Sequence, residues 1–121
     1  MTTEYLKEYT RNKNTLKCIN QSSIHVSEDI LKRASSLLIL LRVSNIKQPE
    51  FIAPHADGGA IQMEYENKKW YLEITVSKST YEIMLVSNDD YDDIPLVDLD
   101  LDTKNIFEVV KCIKKYTLYF K

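Results

Sequence analysis

The chain has 121 residues, of which 44% are hydrophobic and 28% charged, with a net charge of −2. That length fits a single domain over 1–121 that buries about two-thirds of its unfolded surface without disulfide staples, and the composition excludes a wholly disordered chain. The longest apolar run, Leu37 to Leu41, is five residues, against the roughly 20 that a membrane-spanning helix needs. Met1-Thr2-Thr3-Glu4 does not open a secretion signal, so a cytoplasmic protein without membrane contact is expected.

Residues 1–25 mix Tyr5, Leu6 and Tyr9 with Lys7, Arg11, Lys13 and Lys17, a spacing that suits a short amphipathic helix and equally a mobile arm. Cations among aromatics can contact nucleic acid by phosphate pairing and stacking, although no glycine-rich or RNP-like pattern accompanies them. Ser27 is a good N-cap, Glu28 and Asp29 complement the helix dipole, and Ile30, Ala34, Leu37, Leu38 and Leu41 recur at helical spacing. A helix over 27–42 follows. Ile39 and Leu40 lie off its main stripe, and the C-terminal helix, the N-terminal segment or a second copy of the chain in a homodimer would have to cover them.

Pro54-His55-Ala56-Asp57-Gly58-Gly59 contains the only two glycines and reads as a turn, because glycine accepts positive φ and Asp bonds locally to backbone amides. It lacks the Lys and hydroxyl positions of a P-loop and the GxGxxG spacing of a dinucleotide site. From Ala60 to Val76 the sequence alternates on both sides of Asn67-Lys68, which predicts a β-hairpin. A loop centred there pairs Tyr65 with Trp70, Met63 with Leu72 and Ile61 with Ile74, and leaves Gln62, Glu64, Tyr71, Glu73 and Thr75 on the opposite, solvent-facing side. After the turn residues Ser77-Lys78-Ser79-Thr80, Tyr81, Ile83 and Leu85 add a third strand. Val97, Leu99 and Leu101 alternate with Asp98, Asp100 and Asp102, as in a short edge strand whose outward charges discourage sheet-to-sheet pairing. Ile106, Val109, Val110 and Ile113 then mark a C-terminal helix. The expected fold is α+β, an antiparallel three- to four-stranded meander flanked by an N-terminal and a C-terminal helix.

Pro54, Asp57, Gly58, Gly59, Gln62, Glu64 and Tyr65, followed by Leu72-Glu73-Ile74, resemble the P-x-x-D-G-G, Gln, Glu and aromatic pattern of small uncharacterised bacterial proteins, in which tryptophan is more familiar at the Tyr65 position. No activity attaches to that family. The resemblance implies a compact accessory protein of bacterial or phage origin and carries over no catalytic residue.

Charge is unevenly spread. Residues 1–50 carry +3 and residues 104–121 carry +4, while residues 51–76 carry −2 and residues 77–103 carry −7. Cys18 and Cys112 have no CxxC neighbour and read as reduced, small hydrophobes. Asp98, Asp100 and Asp102 have D-x-D-x-D spacing but lack the glycine and closing glutamate of a calcium loop. The favoured reading is therefore a non-catalytic protein, needing neither cofactor nor metal, that binds a protein partner in the manner of an inhibitor or antitoxin. Its expected contacts are Gln62, Glu64, Tyr71 and Glu73 on the open sheet face, with Asp89, Asp90, Asp92 and Asp93 in the acidic segment. Two alternatives stand beside it. One is a small metal-dependent or nucleic-acid-acting hydrolase using His55, Asp57, Glu64 and Glu73, and the other is a homodimeric structural subunit.

Overall fold

The computed structural model describes residues 3–88, 97–102 and 105–120. Two helices, α1 (Thr3–Asn20) and α2 (Glu28–Val43), precede five strands, β1 (Phe51–Pro54), β2 (Ala60–Glu66), β3 (Trp70–Ser77), β4 (Thr80–Ser87) and β5 (Val97–Asp102). Helix α3 (Ile106–Thr117) and a 3-10 turn (Leu118–Phe120) complete the chain. The strands form one sheet in the order β1-β2-β3-β4-β5, and each neighbouring pair is antiparallel. The α+β class and the helices at both ends agree with the sequence.

The strand number needs correction, and the N-terminal segment takes the helical one of its two readings. Among the described residues there are five strands, because Phe51–Pro54 pairs with β2 through Phe51↔Glu64 and Pro54↔Ile61. Proline belongs on such an edge, where a missing N–H breaks no inner ladder. Residues 3–20 form a helix rather than an arm. Its anchor is buried: the Asn12 side-chain amide donates to Gln48 Oε1 at 3.1 Å and to the Pro49 carbonyl at 3.0 Å, Gln48 Nε2 donates to the Leu38 carbonyl at 2.9 Å, and Arg11 Nη2 reaches the Pro49 carbonyl at 2.8 Å. A satisfied network of this kind fixes one docking geometry, since any slip leaves buried polar groups unpaired.

Helix α2 starts as expected, with Ser27 as N-cap accepting from the Ile30 amide at 3.3 Å. Ile30, Ala34, Leu37, Leu38 and Leu41 are buried against the inner sheet residues Ile61, Met63, Tyr65, Leu72, Ile74, Val76, Tyr81, Ile83 and Leu85, and Val109, Val110 and Ile113 of α3 close the core. Leu40 packs against this core, whereas Ile39 and Val43 stay exposed. Cys18 and Cys112 are free thiols.

The β2–β3 hairpin is centred one position later than its sequence suggests. Tyr65 pairs with Leu72, Met63 with Ile74 and Ile61 with Val76. Asn67 does not need positive φ, since Asn45 alone among the described non-glycine residues has it. Instead, Asn67 Oδ1 accepts from the Lys69 and Trp70 amides at 2.9 and 2.7 Å, an Asx turn that places Lys68-Lys69 at the tip. The partners slip by two residues, so each side chain keeps its face. The β1–β2 turn follows expectation: Gly58 has φ +74°, and the Gly59 amide donates to Asp57 Oδ1 at 2.8 Å.

Candidate functional site

The helices cover one face of the sheet and leave the other open. Register places Phe51, Glu64, Glu73, Met84 and Asp98 in one row across all five strands, and Ala53, Gln62, Thr75, Glu82 and Asp100 in the next. Neighbouring strands lie about 4.8 Å apart, so these side chains form a continuous patch. The five strands contain the acids Glu64, Glu66, Glu73, Glu82, Asp98, Asp100 and Asp102, and no lysine or arginine. A depression of about 360 Å³ lies among Glu73, Thr75, Glu82, Met84, Asp98 and Asp100.

Glu64 and Glu73 are direct cross-strand partners, a placement that ordinarily destabilises a sheet when both are charged. Tyr71 resolves the conflict. Its hydroxyl donates a short bond to Glu64 Oε1 and lies 3.3 Å from Glu73 Oε1. Gln62 Nε2 donates to Glu64 Oε1 at 3.1 Å, and Gln62 Oε1 faces His55 Nε2 at 3.1 Å. The polarity of this chain is determined by its acceptor. An amide that gives its N–H to Glu64 presents its oxygen to His55, so Nε2 carries the imidazole proton. The one phenol proton goes to Glu64, which leaves Glu73 with the longer and weaker of the two contacts to the phenol oxygen.

Burial pushes the Glu73 carboxyl above the usual range; the Tyr71 hydrogen bond and the charge of His55 oppose that shift, while Glu64 and Glu82 reinforce it. Burial, followed by the bond to Glu64 and the charge of Glu73, raises the Tyr71 phenol well above its ordinary value.

The structure thus joins Gln62, Glu64, Tyr71 and Glu73 into one network and brings His55 into it. Asp57 stays apart from this chain: it is exposed and bonded to the Gly59 amide. Asp89, Asp90, Asp92 and Asp93 lie outside the described residues. Glu82, Asp98 and Asp100 were missed as site residues, because only the β3–β4 and β4–β5 registers bring them beside Glu73. Their signal was the outward alternation of two separate segments. Among the described residues, no group of three or more His, Cys, Asp or Glu side chains is placed to hold a metal ion, and no helix is long and apolar enough to cross a membrane. On α1, Tyr9 is half-buried against the core beneath the Arg42 guanidinium, 4.8 Å from its ring centroid, so it offers no free platform for a base.

No protein-family model, curated protein or solved structure matches the chain, and the geometry of its own residues carries the functional reading.

Proposed function

We propose that the protein is a non-catalytic binding module whose open sheet face docks onto a cationic protein surface, as an inhibitor or antitoxin does. The supporting observation is the distribution of charge: seven acids and no lysine or arginine within the five strands. A depression walled by Glu73, Glu82, Asp98 and Asp100 suits an inserted lysine or arginine side chain, and aligned opposite charges favour both encounter and correct orientation. The acidic segment with Asp89, Asp90, Asp92 and Asp93 is proposed to contribute to partner binding by its charge. The pattern from Pro54 to Tyr65 favours a bacterial or phage setting.

Affinity capture from the native host with the wild-type chain and a Glu64→Gln/Glu73→Gln/Glu82→Gln variant tests this reading. A protein retained by the wild type, released by salt and lost by the variant is the expected result. Retention of the same partners by the variant overturns it. One observation favours a hydrolase as the second reading, namely the convergence of His55, Glu64 and Glu73 on one hydrogen-bonded chain. It requires a substrate turned over by the wild type and spared by Glu64→Gln. Exposed Ile39 and Val43 on α2 would suit a homodimer, and sedimentation across concentrations reads that directly.

A further inference from the structure

A second concave surface lies in the helical layer and is lined by no strand residue. It is a groove of about 590 Å³ between α1 and α2, with Lys13 and Lys17 on one wall, Lys32 on the other and His25 at the elbow. Small-molecule sites typically measure roughly 300–1,000 Å³. Leu16 and Val26, both buried, and half-buried Leu31 supply its apolar lining. Lys13 and Lys17 are four residues apart on a helix, so their ammonium groups lie on the same side, one turn from each other. The one carboxylate of the lining, Glu28, meets Lys32 at 3.5 Å, with 81% and 72% of the two side chains exposed. Such a pair contributes little and yields readily to a better anion.

The elbow is pre-formed. The Gln21 and Ser22 amides close the end of α1 on the Cys18 and Ile19 carbonyls, each at 3.1 Å, and Ser22 Oγ donates to the Ile19 carbonyl at 2.8 Å. Gly58 presses against the other side of the elbow: a Cβ there would lie 1.9 Å from the His25 carbonyl oxygen. The wall carrying His25 and Val26 is therefore held by the β1–β2 turn, which reduces the ordering cost of binding.

We infer that this groove binds a small amphipathic anion, with a phosphate or carboxylate head on Lys13, Lys17 and Lys32 and an aliphatic body against Leu16, Val26 and Leu31. Charge complementarity identifies the head and the apolar lining identifies the body. No Phe, Tyr or Trp side chain lines the groove, so the large stacking platforms that hold single-stranded nucleic acid are missing.

The test is an amide-resolved NMR titration of the full chain with hexyl phosphate, with inorganic phosphate and hexanol as controls. The expected result is saturable shifts confined to the groove around Leu16, Val26 and Leu31, stronger for hexyl phosphate than for either control. Affinity should fall at least tenfold in Lys13→Gln/Lys17→Gln, whose exposed positions leave the rest of the spectrum in place. Vesicles carrying phosphatidic acid separate the sources: co-sedimentation that the double variant loses assigns the head to a lipid, and binding of free hexyl phosphate alone assigns it to a soluble ligand. Shifts outside the groove, equal binding of hexanol and hexyl phosphate, or undiminished affinity in the double variant would falsify the assignment. So would tighter binding of a single-stranded oligonucleotide to the same amides.

Discussion

At Glu73, burial outweighs the help that the carboxyl receives from Tyr71 and His55, so its pKa is higher in the native than in the unfolded chain. The native state keeps this proton to higher pH, and this contribution to stability falls as pH rises from the ordinary carboxylate range through the raised value. Below that window both states are protonated and nothing is lost; above it the native state holds an anion in an unfavourable place. Glu73→Gln keeps an acceptor oxygen for the Tyr71 hydroxyl and cannot ionise. It is expected to be more stable than wild type at neutral pH and to flatten this part of the profile, as urea unfolding between about pH 4 and pH 7 would show. An unchanged slope would mean that Glu73 does not hold the proton. Gly58 makes a separate prediction. Its φ of +74° and the 1.9 Å approach to the His25 carbonyl leave no room for a methyl group, so Gly58→Ala should cost at least about 2 kcal/mol in chemical denaturation.

Among the elements, α1 depends on polar rather than apolar anchoring at its middle. Asn12→Ala strands the buried Gln48 side chain, and a loss of about 1–3 kcal/mol is expected. A double-mutant cycle with Gln48→Ala should show strong coupling, since one network holds both residues. The closing 3-10 turn acts as a latch: Phe120 is buried beside Tyr65 at a centroid separation of 5.7 Å, Tyr119 meets Trp70 edge-on at 4.7 Å, and Asn67 Nδ2 donates to the Tyr119 carbonyl at 2.9 Å. Phe120→Ala should cost about 3–5 kcal/mol, with a change in Trp70 fluorescence as its optical sign. Which elements could be read in advance follows from their physics. Helix α2 and the β2–β4 meander announce themselves through period and capping, because one face of each is core. Strand β1 is four residues bounded by prolines, with no alternation to detect, and α1 is secured by Asn12 and Gln48, whose partnership spans 36 positions.

Across the whole molecule, charge and layer coincide. Ten of the sixteen lysines and arginines lie in α1, α2 and α3, and none lies in the five described strands. Sequence blocks hinted at this division but placed the acidity in the middle of the chain, whereas folding gathers Glu64, Glu73, Glu82, Asp98 and Asp100 from four strands onto one surface. The hydrogen-bonded chain from His55 to Glu73 could not be read at all, since it depends on the hydroxyl of Tyr71 falling between facing carboxylates. For the proposed partner, Glu82→Gln and Asp100→Asn should chiefly slow association, and the wild-type rate should drop steeply with added salt; a rate indifferent to both would remove steering from the account.

The missing cations have a practical consequence as well. Every lysine among the described residues lies in a helix, a turn or a connecting segment, so amine-directed coupling, whether a fluorophore, a crosslinker or a sensor chip, spares every side chain of the five strands. The molecule can be immobilised through its lysines while the surface proposed to meet its partner keeps its native chemistry.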